Sequence, residues 1–186
     1  IRKLPSVETL GDVTIICSDK TGTLTENKMS VRKAFVNGKE IEISGNGYNS
    51  FDGELKSTKK MTKEDLLLFK IGVLCNNSSL EKKNDIMEVI GDPTEAALLV
   101  SAAKSGLSYD EINNSWKREK EIPFDSVKKM MSTINIDPKT KKSYLFSKGA
   151  PESILERCEK IYIDGRVRRL TKKQRDGILR KNEEFT

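Results

Sequence analysis

The chain has 186 residues, of which 35% are apolar and 33% are charged. This composition is polar for a globular domain, but its clustered Leu, Ile and Val residues can form a core, so wholesale disorder is disfavoured. The longest uninterrupted apolar run is five residues, 96–100, whereas a bilayer span needs about 20. The sequence therefore predicts no membrane-spanning segment and no signal peptide.

Histidine is absent, and the three cysteines, Cys17, Cys75 and Cys158, are far apart in the sequence. These counts exclude histidine-based catalysis and argue against a zinc site or a disulfide framework. Any chemistry must therefore use carboxylates, lysines or hydroxyls. The net charge of +6 suits an anionic partner, whether nucleotide phosphates, nucleic acid or an acidic membrane face, but it does not choose among them.

The first predicted element is a strand over residues 13–18, which is apolar on nearly both faces, as in a buried parallel sheet. It ends at Asp19, so it would deliver a carboxylate to the carboxyl edge of that sheet. Residues 29–36 and 39–44 flank Asn37-Gly38, which predicts a hairpin with a type I′ turn. The Gly-, Asn- and Ser-rich residues 45–60 predict an exposed loop.

Two helix starts stand out in the middle of the chain. Thr62 and Asp65 can cap a largely buried helix that runs to about residue 75, and a polar break follows at residues 76–84. After a short apolar run at 87–90, Asp92 can be the N-cap of the next helix. Glu95 would then be the returning residue of a capping box, and Gly106 would end the helix.

The C-terminal half predicts mostly antiparallel strands and short helices, with a turn at Asp164-Gly165 and a helix start at Thr171. The resulting order of elements predicts an α+β domain attached to a fragment of an α/β one. The predicted elements are a helix at 108–115, strands at 117–124, 129–136 and 142–147, a helix at 151–157, and strands at 161–163 and 166–170.

Residues 16–25 read Ile-Cys-Ser-Asp-Lys-Thr-Gly-Thr-Leu-Thr and carry the most specific signal in the sequence. A carboxylate at the end of a buried strand can attack phosphorus and form an acyl phosphate. The neighbouring Gly and Thr residues let backbone amides and hydroxyls approach the transferred group. This run resembles the phosphorylation motif of P-type ion-transporting ATPases, and seven matched positions outweigh an ordinary turn aspartate.

The resemblance implies that Asp19 is the phosphorylated nucleophile and that Lys20 and Thr21 are its catalytic neighbours. It also implies that Asp19 and the main-chain carbonyl of Thr21 supply part of a Mg²⁺ site. The wider haloacid-dehalogenase-like superfamily commonly has an aspartate where this chain has Thr21. That difference implies a longer-lived phosphoenzyme, whose breakdown can be tied to a conformational step.

Three later segments, 91–98, 123–132 and 148–152, resemble the nucleotide-binding domain of the same family and occur in its order. The resemblance implies that the adenine amino group lies beside Glu95. It also implies that Lys148 lies deep in the nucleotide pocket and that Gly149 permits close approach. The nucleotide-binding residues implied in full are Glu95, Phe124, which stacks on adenine, Lys129, which meets the phosphates, Met131, a pocket wall, Lys148 and Gly149.

Each of these residues also has a simpler interpretation. Glu95 fits an ordinary capping box with Asp92, a role that the spacing alone favours and that is compatible with the first, and Phe124 fits a core aromatic. Lys129 fits a solvated edge-strand lysine, and Lys148 fits an exposed lysine in a strand-to-helix turn. The agreement of four segments in the family's order favours the nucleotide-binding interpretation.

The resemblance implies a nucleotide-binding domain of α+β fold, with an antiparallel sheet flanked by helices, over residues 29–186 and truncated at its C-terminal end. Residues 1–28 would be the N-terminal part of a haloacid-dehalogenase-like α/β phosphorylation domain and the hinge. The similarity of two segments, Leu4 to Gly11 and Gly91 to Glu95, favours the type II calcium-pump branch of the family. The chain would be a soluble loop on the cytoplasmic side of the membrane.

The family's Thr-Gly-Asp and Gly-Asp-Gly-x-Asn-Asp motifs are not present in the sequence. They supply a second lysine and acidic Mg²⁺ ligands, and charge neutralisation is central to phosphoryl transfer. We therefore expect this chain to bind nucleotide but hardly to hydrolyse it. The expected cofactor is Mg²⁺ with ATP, and the expected partners are ATP or ADP and the membrane domain of the parent pump, with the chain itself a monomer.

Two other classes of function stay open at this stage. The first is a nucleotide-binding module without catalysis. It would not be a P-loop or Rossmann module, because neither glycine motif is present. A basic nucleic-acid-binding or membrane-binding domain is disfavoured, because the positive charges are mixed with 28 acidic residues and no recognition motif occurs.

Overall fold

The computed structural model describes residue 11 and residues 13–20, 22–45, 54–57, 61–83 and 86–186. The predictions for Thr21, for Leu4 to Leu10 and for most of the loop at 45–60 lie outside the described residues. Within the described part, no helix has both the length and the apolar character that a bilayer crossing requires.

The described residues form ten strands and five regular helices. The strands are β1 Lys33–Val36, β2 Lys39–Ile43, β3 Leu55–Ser57, β4 Ser79–Lys83, β5 Ile86–Ile90, β6 Lys117–Asp125, β7 Met130–Ile136, β8 Ser143–Gly149, β9 Lys160–Ile163 and β10 Arg166–Arg169. The helices are α1 Lys63–Leu74, α2 Pro93–Lys104, α3 Tyr109–Ser115, α4 Pro151–Glu156 and α5 Lys172–Phe185.

All strand pairs in the described part are antiparallel, as the α+β prediction requires. The strands form four small sheets, ordered β1-β2-β3, β4-β5, β6-β7-β8 and β9-β10. In the sheet β6-β7-β8, Met131 pairs with Lys148 and Met130 pairs with Gly149. This register brings the start of β7 next to the end of β8.

The predicted turns and caps are largely confirmed. Asn37 and Gly38 have φ values of 52° and 72°, and positive φ at both positions is the requirement of a type I′ turn. Thr62 and Asp65 form a reciprocal capping box at the start of α1. Gly106 has a φ of +83° just beyond the end of α2, which is the left-handed conformation that suits a helix terminator.

The core lies between α1, α2 and the strands β2, β7 and β8. Polar contacts also tie α1 to β7, because the buried hydroxyl of Thr133 donates to the Leu74 carbonyl at 3.0 Å and the Asn135 amide donates to that hydroxyl at 2.8 Å. The largest buried apolar contributors are Ile41, Phe69, Val73, Leu99, Met131 and Phe146.

Three predictions of secondary structure are wrong. Residues 13–18 form no strand, and Ile15 and Ile16 are exposed rather than buried. A buried parallel strand needs hydrogen-bonded neighbours and covered faces, and every described strand pair is antiparallel. Part of the predicted loop at 45–60 is the strand β3, and the predicted polar break contains β4, which pairs with β5.

Candidate functional site

A cleft of about 990 Å³ opens where the start of α2, the turn between β6 and β7, and the end of β8 come together. The structure brings all the residues of the sequence-derived nucleotide site to its lining. The lining consists of Asp92, Thr94, Glu95, Leu98, Phe124, Ser126, Lys129, Met131, Lys148, Gly149 and Ala150.

Glu95 is the most heavily bonded side chain of the cleft. Its Oε1 accepts from the Lys148 ammonium at 2.7 Å. Its Oε2 accepts from the backbone amides of Asn77 at 2.6 Å and Ser78 at 3.1 Å. The capping box predicted for Glu95 is therefore wrong, because this carboxylate reaches sideways to a loop and a strand instead of back to its own helix.

Asp92 alone caps α2 with its side chain. Its Oδ1 accepts from the backbone amides of Thr94 at 2.8 Å and Glu95 at 3.2 Å, and Pro93 occupies the first turn. The hydrogen bond from the Glu95 amide, assisted by that from Thr94, holds the pKa of Asp92 below its usual value. The start of α2 is thus fixed by Asp92, which leaves the Glu95 carboxylate for contacts outside the helix.

The loop at residues 75–78, between α1 and β4, packs against the start of α2 and surrounds Glu95. The Asn76 side chain donates to the Glu95 carbonyl at 2.8 Å and accepts from the Ser78 amide at 2.9 Å. Ser78 Oγ donates to the Asp92 carbonyl at 3.1 Å. Close approach also requires Gly91, since a Cβ there would lie 2.4 Å from Ser78 Oγ.

Arg118 on β6 also holds this loop through hydrogen bonds. Its guanidinium donates to the carbonyls of Leu74 and Asn76 at 3.0 and 2.5 Å and to the Asn77 side-chain oxygen at 2.8 Å. It also lies 3.5 Å from a Glu121 carboxylate oxygen. The sequence analysis missed Asn77, Ser78 and Arg118, because their roles depend on contacts between distant segments and no local motif marks them.

Phe124 presents its ring to the open side of the cleft. The residue is 64% exposed, so its interpretation as a core aromatic is wrong. An exposed aromatic at the mouth of a cleft offers a flat face on which a planar ring can stack. This arrangement is available without any rearrangement of the core.

Lys129 and Gly149 form a close backbone contact in the cleft. Lys129 has a φ of 50°, and a Cβ at Gly149 would lie 2.3 Å from the Lys129 carbonyl oxygen. The Ala150 amide donates to the same carbonyl at 2.9 Å. The position of the Lys129 side chain at the cleft is therefore set by the backbone, and only glycine fits at 149 without a shift.

The turn that carries Lys129 is held by Asp125. Its Oδ1 accepts from the backbone amides of Val127 at 2.9 Å and Lys128 at 2.8 Å. These hydrogen bonds, the one from Lys128 foremost, hold the pKa of Asp125 below its usual value. Met131, which follows this turn on β7, is buried beneath the cleft and belongs to the core cluster.

The segment around Asp19 differs from the cleft. Asp19 and Lys20 are both exposed, and Asp19 Oδ1 accepts from the Lys20 backbone amide at 2.7 Å. Neither residue lines the cleft as described, and Thr21 lies outside the described residues. Among the residues that the structure describes, no group of three His, Cys, Asp or Glu side chains could hold a metal ion.

Comparison with known proteins gives matches over most of the chain. A family model of the P-type ATPase cytoplasmic domain N matches residues 66–186. The calcium-transporting ATPase of Bacillus subtilis is 43% identical over 171 residues, which cover 89% of this chain and 19% of that protein. The cation-transporting ATPase pma1 of Synechocystis is 43% identical over 176 residues, covering 88% of this chain and 19% of that protein.

A third relative covers the whole chain. The calcium-transporting ATPase 1 of Lactococcus lactis is 37% identical over 186 residues, which cover 100% of this chain and 19% of that protein. The chain thus spans about a fifth of the length of these curated relatives. On the strength of the family model and these identities, the chain belongs to the P-type ATPases and contains their cytoplasmic domain N.

Proposed function

We propose that the cleft binds the adenine nucleotide of a P-type cation pump, and that the transported cation is calcium. The observation that carries the proposal is one cleft lined by an exposed aromatic ring, Phe124, a held carboxylate, Glu95, and two lysines, Lys129 and Lys148. An aromatic face suits a purine, a carboxylate accepts from an amino group, and ammonium groups suit phosphates. The names of the relatives support calcium as the cation.

Phe124 is the residue to which we assign stacking on the base. By analogy with bases that stack on aromatic residues in single-strand binders, such a contact contributes about 1–3 kcal/mol. Glu95 would accept from the exocyclic amino group while Lys148 holds the carboxylate in place. Lys129, at the turn between β6 and β7, would contact the phosphates.

Mg²⁺ enters this proposal as part of the substrate, bound to the phosphates of ATP. The described residues do not fit a magnesium site of their own, since they contain no group of three His, Cys, Asp or Glu side chains arranged for a metal ion. Asp19 is the one acidic residue that the resemblance implies as a ligand. We therefore assign no step of the reaction to a metal held by this chain.

We assign Asp19 as the phosphoryl acceptor of the longer pump, on the resemblance of residues 16–25 alone. A carboxylate oxygen of Asp19 would attack the γ-phosphorus, the bond from that phosphorus to the ADP oxygen would break, and ADP would leave. Closure of residues 1–28 against the nucleotide domain would align the reactants and exclude water. The described lining of the cleft does not include Asp19.

Isothermal titration calorimetry with ATP and ADP tests the nucleotide site. We expect binding by the full chain and a roughly 5- to 150-fold weaker affinity for Phe124→Ala, which corresponds to the loss of one stacking contact. The matched control is Val127→Ala, because Val127 is exposed in the turn that follows β6 but does not line the cleft. Equal affinities of the wild type and Phe124→Ala would remove the assignment.

The second candidate is a nucleotide-binding module that takes no part in phosphoryl transfer. It is favoured by the local hydrogen bonding of Asp19 away from the described cleft lining. Incorporation of ³²P from [γ-³²P]ATP into the longer protein separates the two candidates, with Asp19→Asn as the variant. Hydroxylamine-sensitive label that persists in Asp19→Asn would exclude Asp19 as the acceptor.

A further inference from the structure

We propose that Arg118 is a positioning residue that makes the cleft selective for purines with a 6-amino group over purines with a 6-oxo group. The proposal rests on the proposed function, because it concerns how Glu95 meets the base. Arg118 does not line the cleft. It acts through the loop at residues 75–78, whose backbone amides hold the Glu95 carboxylate.

The first step is the attachment of Arg118 to the end of α1. The last carbonyls of a helix have no partner within the helix, and a cation near them also interacts favourably with the helix dipole. The Arg118 guanidinium donates to the carbonyls of Leu74 and Asn76, at 3.0 and 2.5 Å. One side chain thus fixes the point at which the chain leaves the helix.

Arg118 also orients the backbone amides of the loop. Arg118 also donates to the Asn77 side chain at 2.8 Å, and the other end of that side chain donates to Glu121 at 2.7 Å. With Asn77 held at both ends, its backbone amide donates to Glu95 Oε2 at 2.6 Å and the Ser78 amide donates at 3.1 Å. The loop therefore presents two donors to one oxygen of the carboxylate.

The third step is the effect on recognition. Two amides and the Lys148 ammonium hold the Glu95 carboxylate in a fixed orientation. A fixed carboxylate accepts from a 6-amino group but faces the lone pairs of a 6-oxo group, so it rejects the latter by repulsion. If the loop moved, Glu95 could turn away from a 6-oxo purine, and the rejection would weaken.

Lysine cannot replace arginine in this role. The planar guanidinium offers five N–H donors in a fixed fork, whereas an ammonium is a single point of attachment on a flexible stem. Arg118 uses this geometry to reach acceptors on Leu74, Asn76 and Asn77 at the same time. We therefore expect Arg118→Lys to retain the charge but to lose much of the selectivity.

The test compares the affinities for ATP and for ITP, its 6-oxo counterpart, by calorimetry on the full chain. We expect the wild type to prefer ATP, and Arg118→Lys and Arg118→Gln to lower the ATP-to-ITP preference by about tenfold. The matched control is Lys120→Gln, an exposed cation on the same strand outside the cleft lining, which should keep the wild-type preference.

The outcomes separate the two proposals. A wild type that binds no ATP would overturn the nucleotide site and, with it, the role of Arg118. Wild-type binding of ATP together with an unchanged preference in folded Arg118→Lys, or an equal loss of ATP and ITP affinity, would overturn the positioning role alone. If circular dichroism showed that both Arg118 variants are unfolded, Arg118 would be a residue needed for folding, and the positioning role would also be overturned.

Discussion

The cleft and the segment around Asp19 are organised in different ways. In the cleft, Glu95 contacts Lys148, 53 positions away, and loop amides 17 and 18 positions away. The hydrogen bonds described for Ser18 to Thr25 join residues at most five positions apart. One region is fixed by contacts between distant segments, whereas the hydrogen bonds that the structure describes in the other are all local.

The difference follows from the two kinds of sheet. The cleft is built on β7 and β8, which pair antiparallel and follow each other directly in the sequence. A buried parallel strand, as expected for residues 13–18, needs separate neighbours on both edges and cover on both faces. The strands beside the cleft are therefore paired, while Ile15 and Ile16, next to the proposed phosphoryl acceptor, are exposed.

The largest effect is expected from a pair of apolar truncations that compares the two regions. Leu99 is fully buried in the core, whereas Ile16 is 83% exposed. We expect Leu99→Ala to lower the free energy of unfolding by about 2–5 kcal/mol, and Ile16→Ala to change it by less than about 0.5 kcal/mol. Urea denaturation measures both, and a comparable loss in the two variants would break the comparison.

A smaller effect is expected at the backbone contact in the cleft. Gly149→Ala would place a Cβ 2.3 Å from the Lys129 carbonyl oxygen, so we expect a loss of about 1–3 kcal/mol of stability together with weaker ATP binding. Gly177→Ala is the matched control, since a Cβ there meets no atom within 4 Å. It should stabilise the helix α5 by roughly 0.5–1 kcal/mol.

An equally stable Gly149→Ala variant would show that the turn between β6 and β7 can move away without cost. The contact between Lys129 and Gly149 would then not fix the backbone of the cleft. Thermal and urea unfolding of the two glycine variants, measured together with ATP titration, distinguish this outcome from the expected one.

The smallest effect concerns the pH dependence of the cap on α2. The pKa of Asp92 is lowered in the folded chain by the amides of Glu95 and Thr94. Its stabilisation is therefore fully present above its unfolded pKa of about 3.9 and is lost as the pH falls through the lower folded pKa. Asn retains a neutral cap, so Asp92→Asn should be less stable at pH 7 by about 0.5 kcal/mol.

The stability difference between the wild type and Asp92→Asn should shrink below about pH 4. Unfolding free energies at pH 7 and pH 3 measure this change. A difference that stays constant with pH would mean that the charge of Asp92 contributes nothing beyond its hydrogen bonds.

Local features of the fold were largely predictable from the sequence, because their causes lie within a few residues. The turn at Asn37-Gly38 needs two positive φ values, and the capping box of Thr62 and Asp65 spans four positions. The meeting of the implied nucleotide residues in one cleft was expected only from the family resemblance. Their assigned roles remain predictions.

Other features depend on distant contacts that no local pattern encodes. The partners of Glu95 come from the loop at 75–78 and from β8, so its apparent capping box gave a wrong expectation. The apolar run at 13–18 has the composition of a buried strand, but composition does not specify the neighbours that would bury it. In the sequence, Arg118 likewise does not differ from any other cation on a charged strand, because its acceptors at residues 74–77 lie far away along the chain.

The left-handed backbone of Lys129 sets the stability of the fold against the phosphate contact that we propose for this lysine. A non-glycine residue in this conformation costs about 1–2 kcal/mol, which glycine would relieve, but glycine would also take away the ammonium at the cleft. Selection for thermal stability alone would therefore favour a more stable chain with a lower affinity for the proposed nucleotide. Screens of this domain need a binding assay alongside the melting curve.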